Sequence, residues 1–171
     1  MVTIIGCDHI HQRKGQRCFG DQRLIEFEAD QKRRFSEVIA EQQELRRASL
    51  ICEEIEHGCD TFARDLAQRR NARYANVDMP VAERRRRKIP EGYSAQPYPP
   101  ERIQEWHTER EQFMVEQLIG KLQDKCEPTL LICGRLHREP IAAFLRNRGV
   151  DAGVLDLADY AWFSANWEVD C

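Results

Sequence analysis

The sequence predicts an α/β fold in three layers, with a largely parallel sheet covered by helices on both faces. Short aliphatic runs typical of buried strands recur along the chain, and longer charged segments separate them. Within those charged segments, apolar residues recur at helical spacing. Strands and helices that alternate in this way favour parallel pairing, because each crossover helix returns across a face of the sheet.

Five runs rich in aliphatic or β-branched residues predict the strands. They cover residues 2–5, 49–52, 74–77, 129–133 and 151–155. Four segments between them predict helices. The first has an apolar stripe at Phe35, Val38, Ile39 and Leu45, and the second contains Phe62 and Leu66 after a cap at Asp60 or Thr61. The third covers about 101–124, and the fourth covers about 138–148 with Gly149 as its C-cap.

Length and composition indicate one α/β domain over residues 1–171. Hydrophobic residues make up 42% of the chain and charged residues 32%, which is typical of an ordered globular protein. The formal net charge of −3 gives no general attraction to nucleic acid or membranes. No apolar stretch approaches the ~20 residues that span a bilayer, and the N-terminus does not resemble a signal peptide. We therefore expect a cytoplasmic protein without a membrane partner.

The segment from about 79 to 100 is rich in arginine and proline. Residues 83–88 are all charged, and residues 89–100 contain four prolines, one glycine and two tyrosines. Proline at that density predicts an extended loop, which we interpret as a lid or a substrate-recognition element. The charged run is more often a solvated face than a phosphate or nucleic-acid site, so we do not expect a nucleic-acid partner.

Seven cysteines are spread along the chain without a Cys-x-x-Cys pair. An odd number and this spacing disfavour both a disulfide framework and a four-cysteine zinc site. We expect reduced, structural cysteines, with Cys7 the one that lies inside a candidate motif.

Two Gly-x-x-His motifs follow predicted strands near opposite ends of the chain. The first is Gly6-Cys7-Asp8-His9, and the second is Gly134-Arg135-Leu136-His137. In open parallel sheets, the carboxyl ends of the strands lie at one edge and form the usual ligand site. We therefore predict that His9 and His137 meet in one cleft.

Other titratable residues follow the predicted strands as well. They are His11 after the first strand, Glu53 and Glu54 after the second, and Asp78 after the third. Imidazoles beside carboxylates suit a divalent metal ion such as zinc, manganese or cobalt, which would activate a bound water with a carboxylate as the base. We therefore predict metal ligands at His9, His137, His11 and Asp78.

Several of these residues have a structural alternative. Asp78 would equally brace the loop that follows it, and His11 would equally be a solvated loop residue. Side chains alternate along a strand, so one of Glu53 and Glu54 faces the cleft and the other faces away. The sequence does not decide which.

The paired Gly-x-x-His motifs, the acidic residue after the second strand and an arginine on the helix before the second motif resemble the TraB/TIKI superfamily. This group includes erythromycin-esterase-like and ChaN-like proteins. The resemblance implies an α/β protein with a metal-dependent hydrolase or protease activity. It implies catalytic or metal-binding roles for His9 and His137, an acidic partner at Glu53 or Glu54, and an oxyanion-stabilising role for Arg110.

The leading hypothesis is a metal-dependent hydrolase that cleaves peptide or ester bonds in a small-molecule or peptide substrate. The alternative is a catalytically silent module that binds a small ligand or regulates a partner. The aromatic residues after the last strand, among them Tyr160, Trp162, Phe163 and Trp167, would pack either on the core or on a second subunit.

Overall fold

Five parallel strands form one sheet at the centre of this computed structural model, which describes residues 1–15, 22–56 and 58–163. The strands are β1 (Val2–Cys7), β2 (Leu50–Glu53), β3 (Arg73–Asn76), β4 (Thr129–Gly134) and β5 (Ala152–Asp156). Their order across the sheet is β3-β2-β4-β1-β5, and every neighbouring pair is parallel. The predicted α/β class is confirmed.

Six α-helices connect the described strands or follow them. They are α1 (His9–Gln12), α2 (Gln22–Arg46), α3 (Phe62–Arg69), α4 (Val81–Arg86), α5 (Pro100–Lys121) and α6 (Arg138–Asn147). Two predicted helix ends are confirmed in detail. The Thr61 hydroxyl caps α3 by accepting from the backbone N–H of Arg64, and Gly149 follows α6 with a φ of 75°.

The two faces of the sheet carry separate apolar cores. On one face, Met114 and Leu118 of α5 and Ile141 of α6 pack on the strands. On the other face, Phe35 of α2 and Leu66 of α3 do the same. Each core removes its apolar side chains from water, which is the main favourable contribution to folding.

The chain leaves two neighbouring strands in opposite directions. From β1 it passes through α2 toward β2 and β3, whereas from β4 it passes through α6 to β5 on the far side of β1. This reversal opens a crevice at the carboxyl ends of β1 and β4, the position at which open α/β sheets bind their ligands.

The segment from about 79 to 100 is more ordered than the loop predicted from its prolines. It contains α4 and a 3-10 turn at Tyr93–Ala95. Glu83 pairs with Arg86 and Arg87 three and four residues later, and such pairs support a helix. The segment also has its own small core, in which Met79, Ile89 and Tyr93 are buried with Trp106 of α5.

The remaining predictions concern the cysteines, the aromatic residues after the last strand and membrane spans. Cys7, Cys52, Cys59, Cys126 and Cys133 are free thiols, while Cys18 and Cys171 lie outside the described residues. Tyr160, Trp162 and Phe163 pack on the α2 and α3 core, and Trp167 lies outside the described residues. Within the described ranges, no helix is long and apolar enough to cross a bilayer.

The close approach of Arg138 to Gly6 gives a stability prediction. A Cβ at Gly6 would lie 2.7 Å from Cδ of Arg138 and 3.3 Å from the backbone Cα of Arg135. Arg138 is also ion-paired to Asp156, so it does not move aside freely. We expect Gly6→Ala to lower the free energy of unfolding by about 1–3 kcal/mol in urea denaturation.

Gly153 on β5 is the matched control, because nothing lies within 4 Å of a Cβ placed there. Gly153→Ala is expected to stay within about 0.5 kcal/mol of the native chain. Equal effects of the two substitutions would contradict the packing proposed around Gly6.

Candidate active site

The sheet brings the two Gly-x-x-His motifs together. Strands β1 and β4 are neighbours, and Cys7 of the first motif pairs in register with Gly134 of the second. His9 begins α1 directly after β1, and His137 ends the short 3-10 turn after β4. Both imidazoles therefore lie at the switch-point crevice. A Cβ at Gly134 would be 3.4 Å from Nε2 of His9 and 3.3 Å from Cδ2 of His137.

The Glu54 carboxylate lies at the centre of this cleft and is fully buried. Its Oε2 accepts a hydrogen bond of 2.8 Å from the backbone N–H of Gly134, and its Oε1 accepts one of 2.8 Å from Nη2 of Arg110. Nε2 of His137 lies 3.5 Å from the same Oε1, and Nε2 of His9 lies 4.0 Å from it. One carboxylate thus contacts both motifs and helix α5.

These cationic and polar neighbours keep Glu54 ionised. Burial opposes the charged carboxylate, but His137, Arg110 and His9 outweigh that cost and hold the pKa of Glu54 below its ordinary value. The result is a buried anion, and its charge sets the electrostatic field in the cleft.

His137 lies between two carboxylates. Its Nδ1 is 2.9 Å from Oε1 of Glu111, a buried residue of α5, while its Nε2 faces Glu54. Burial opposes a charged imidazole, but the Glu54 charge and the Glu111 hydrogen bond outweigh it, so the pKa of His137 is raised above its ordinary value. The ring is held in one orientation from both sides.

His9 differs from His137 because it is half-exposed. Its side chain retains 47% of its accessible surface, and its Nδ1 lies 2.7 Å from Oε1 of the buried residue Gln12. The amide oxygen accepts the Nδ1 proton in this arrangement. Nε2 is then the basic nitrogen of the neutral ring, and it points into the cleft.

Asp78 braces the cleft through two arginines. Its Oδ1 accepts from Nη2 of Arg110 at 2.9 Å and from the backbone N–H of Met79 at 2.7 Å, and its Oδ2 accepts from Arg84 of α4. The bracing alternative for Asp78 agrees with these contacts. Arg110 bridges Asp78 and Glu54, so the predicted helix arginine does lie in the cleft.

Glu53 faces the opposite side of the sheet from Glu54. Its Oε2 accepts hydrogen bonds from the Thr61 hydroxyl at 2.7 Å and from the Tyr74 hydroxyl at 2.9 Å. Burial raises the pKa of Glu53 to about 7, which these two hydrogen bonds lower only in part. Of the two glutamates, Glu54 is the one in the cleft, and the predicted catalytic role of Glu53 is corrected by this placement.

His11 does not join the cleft, which corrects its prediction as a metal ligand. It is buried with ring centroids 6.0 Å from Phe35 and 5.4 Å from Phe163, on the α2 side of the sheet. The cause is helix α1, because residues two apart on a helix point in nearly opposite directions. Burial lowers the pKa of His11, which favours the neutral ring.

Sequence reasoning missed four residues that complete the cleft. Glu111 and Gln12 fix the two histidines, as described above. His107 of α5 lies with its ring centroid 5.1 Å from that of His137, and its Nδ1 is 2.9 Å from the Tyr93 hydroxyl. Residues 107, 110 and 111 share one helix face with the buried residue Met114. This helical spacing is the sequence feature that indicates they face the interior and not solvent.

Two cavities open from this centre. One of about 380 Å³ extends toward Asp78, Val81 and Arg84. The other, of about 570 Å³, extends toward His137, Arg135 and Leu136. Both are lined by His9, Ser94 and Arg110, so these three residues border both cavities.

The residues in the cleft do not fit an assembled metal site. Both Glu54 oxygens and both Asp78 oxygens already accept hydrogen bonds, and the Arg110 cation contacts both carboxylates. With His11 elsewhere, His9 and His137 are the two predicted imidazole ligands left, fewer than the three protein ligands typical of catalytic zinc. The third imidazole in the cleft, His107, has its Nδ1 2.9 Å from the Tyr93 hydroxyl. No group of three or more histidine, cysteine or acidic side chains in the described ranges could hold an ion.

Comparison with known proteins gives no significant match to a family model, a curated protein or a solved structure. The resemblance to the TraB/TIKI superfamily stays a prediction. The function is therefore argued from the cleft itself.

The raised pKa of Glu53 gives a prediction for stability against pH. The unfolded carboxyl ionises near its ordinary value of 4.5, whereas the folded one ionises near 7. The stability that the protonated Glu53 carboxyl contributes to the folded state is fully present below pH 4.5. It is lost as the pH rises through about 7. We expect Glu53→Gln to remove up to about 3 kcal/mol of the fall in unfolding free energy between pH 5 and 8.

Glu116→Gln, at an exposed position on α5, is the control and is expected to keep the native pH profile. Urea denaturation at several pH values gives both profiles. A Glu53→Gln profile that is parallel to the native one would contradict the buried, protonated carboxyl.

Proposed function

We propose that this chain is a hydrolase that cleaves an ester or peptide bond where the two cavities meet. The observation that carries the proposal is the arrangement of two oriented imidazoles around one buried carboxylate. The Nε2 atoms of His9 and His137 lie 4.0 and 3.5 Å from Oε1 of Glu54, and each Nδ1 has an acceptor. A base held in one tautomer beside a buried anion is a common feature of hydrolases.

His9 is the general base in this proposal. Its exposed Nε2 takes a proton from water, and the water oxygen forms a bond to the substrate carbonyl carbon. The imidazolium that results carries a positive charge at Nε2, 4.0 Å from the Glu54 carboxylate. Glu54 therefore stabilises the charged base without taking up a proton itself.

Arg110 and His137 supply positive charge to the tetrahedral intermediate. The negative charge on the former carbonyl oxygen develops beside the Arg110 guanidinium, which lines both cavities. When the intermediate collapses, the bond from the carbonyl carbon to the leaving group breaks. The leaving group then takes the proton from Nε2 of His9, and the base is restored.

A substrate that spans both cavities suits this position of the reacting groups. His9 and Arg110 are shared by the two cavities, so the scissile bond lies between two substrate portions. Asp78 and Glu111 act through other residues, since they position Arg110 and His137.

The alternative is a catalytically silent module that binds a small ligand. It is favoured because both Glu54 oxygens already accept hydrogen bonds, from Arg110 and from Gly134. Such a hydrogen-bond network stabilises the cleft whether or not a reaction occurs there. The two functions differ in whether loss of the His9 imidazole affects turnover or binding alone.

His9→Ala tests the proposal. The native chain is expected to hydrolyse a member of a panel of p-nitrophenyl esters and fluorogenic peptides, and the variant is expected to lose kcat by at least about 100-fold. The half-exposed position of His9 makes loss of folding a minor concern, and circular dichroism checks it. Leu45→Ala, at an exposed site on α2, is the control and is expected to keep native turnover.

Turnover of His9→Ala within a few-fold of native would contradict the assignment. Native turnover is expected to survive dialysis against a chelator. Turnover that returns only when zinc, manganese or cobalt is added would replace the acid–base account with the metal-dependent one. A native chain that binds panel compounds and cleaves none would support the silent module.

A further inference from the structure

The larger cavity contains an arginine, Arg135, that has no carboxylate partner among the described residues. Arg135 is half-buried in the turn after β4, where its guanidinium lies over the ring of Phe163 at 6.0 Å from the centroid. Among the described residues, no carboxylate lies within ion-pair distance of it. The guanidinium groups of Arg13, Arg84 and Arg110, which line the smaller cavity, each have a carboxylate partner.

The contact of Arg135 with Phe163 is made to an aromatic ring and not to a carboxylate. A guanidinium has several N–H donors, and those that no carboxylate uses can donate to an anion. Those N–H groups match the two oxygens of a carboxylate in a paired, bidentate geometry. Arg135 is thus suited to bind an anion at the wall of the cavity.

The neighbouring residue adds an apolar surface. Leu136 is 75% exposed and lines the same cavity, although an exposed leucine of this kind contributes nothing to the protein core. An aliphatic group that covers Leu136 would remove both apolar surfaces from water, which favours binding. A ligand that satisfies Arg135 and Leu136 together has a carboxylate next to an aliphatic side chain.

The charges of the cavity favour a monoanion over a phosphate dianion. Arg110 is already paired with Glu54 and Asp78, and His137 lies between Glu54 and Glu111. Asp8 lines the cavity as well. Arg135 is therefore the cation of this cavity whose charge no carboxylate among the described residues offsets, and the nearby carboxylates repel a second negative charge on the ligand.

We propose that the larger cavity binds the free carboxylate of an N-acylated aliphatic amino acid, with Arg135 and Leu136 as specificity-determining residues. The class includes both a small N-acyl amino acid and the C-terminal residue of a peptide. The proposal rests on the proposed hydrolase function, since it places the acyl bond of the ligand on the side of His9 and Arg110.

Binding of compounds that differ only at the carboxyl group tests this inference. N-acetyl-leucine is expected to bind the native chain at least about tenfold more tightly than N-acetyl-leucinamide, measured by calorimetry or by NMR shifts. Arg135→Ala is expected to abolish that preference. Arg85→Ala is the matched control, because Arg85 is exposed and lines neither cavity, and it is expected to keep the preference.

Further binding measurements distinguish a peptide ligand from a small N-acyl amino acid and test the contribution of Leu136. Tighter binding of the tripeptide Ala-Ala-Leu than of N-acetyl-leucine would assign the site to peptide C-termini, and equal binding would assign it to small N-acyl amino acids. Leu136→Ala is expected to reduce the preference for N-acetyl-leucine over N-acetyl-glycine. Equal affinities for acid and amide in the native chain, a preference that survives Arg135→Ala, or tighter binding of inorganic phosphate would each overturn the inference.

The same measurements on His9→Ala keep this inference apart from the hydrolase proposal. His9→Ala is expected to keep the preference for the acid, because His9 is placed at the scissile bond and not at the carboxylate. If the preference is present and the native chain cleaves no substrate, the inference stands and the hydrolase function fails. If the native chain cleaves neutral esters and shows no preference for the acid, the hydrolase function stands and this inference fails.

Discussion

The buried Glu54 carboxylate is the group on which the arrangement of the cleft depends. Removal of a carboxylate from water costs several kcal/mol unless charges and hydrogen bonds compensate for it. Here the compensation comes from separate parts of the chain, since Gly134 follows β4, Arg110 lies on α5 and His9 follows β1. Folding brings these elements together around one anion, and the same contacts orient the groups assigned to catalysis.

The position of the anion follows from the path of the chain. Connections leave β1 and β4 in opposite directions, which opens a crevice at the carboxyl ends of this strand pair. Each strand ends in a motif that places a histidine at the opening, and the neighbouring strand β2 places Glu54 beside it. The site thus combines a crevice between two strands with the Glu54 charge, which holds polar side chains at the bottom of that crevice.

The sequence predicted the sheet and the meeting of the two motifs, because aliphatic runs and strand ends are local signals. It did not distinguish Glu54 from Glu53, since alternation separates their faces and only the crossover helices decide which face holds the cleft. It misplaced His11, because residues 9 and 11 lie two apart on helix α1 and therefore point in nearly opposite directions. It passed over Glu111, because a polar residue on a helix resembles a solvated one until its neighbours are known.

The ring titration of His137 tests the central role of Glu54 most directly. The account predicts that NMR of the native chain gives His137 a pKa above the ordinary value of 6.5, because the Glu54 carboxylate favours the charged ring. In Glu54→Gln the amide carries no charge, so the pKa of His137 is expected to fall below the native value while the Glu111 hydrogen bond remains. The same His137 titration in both proteins would contradict the account.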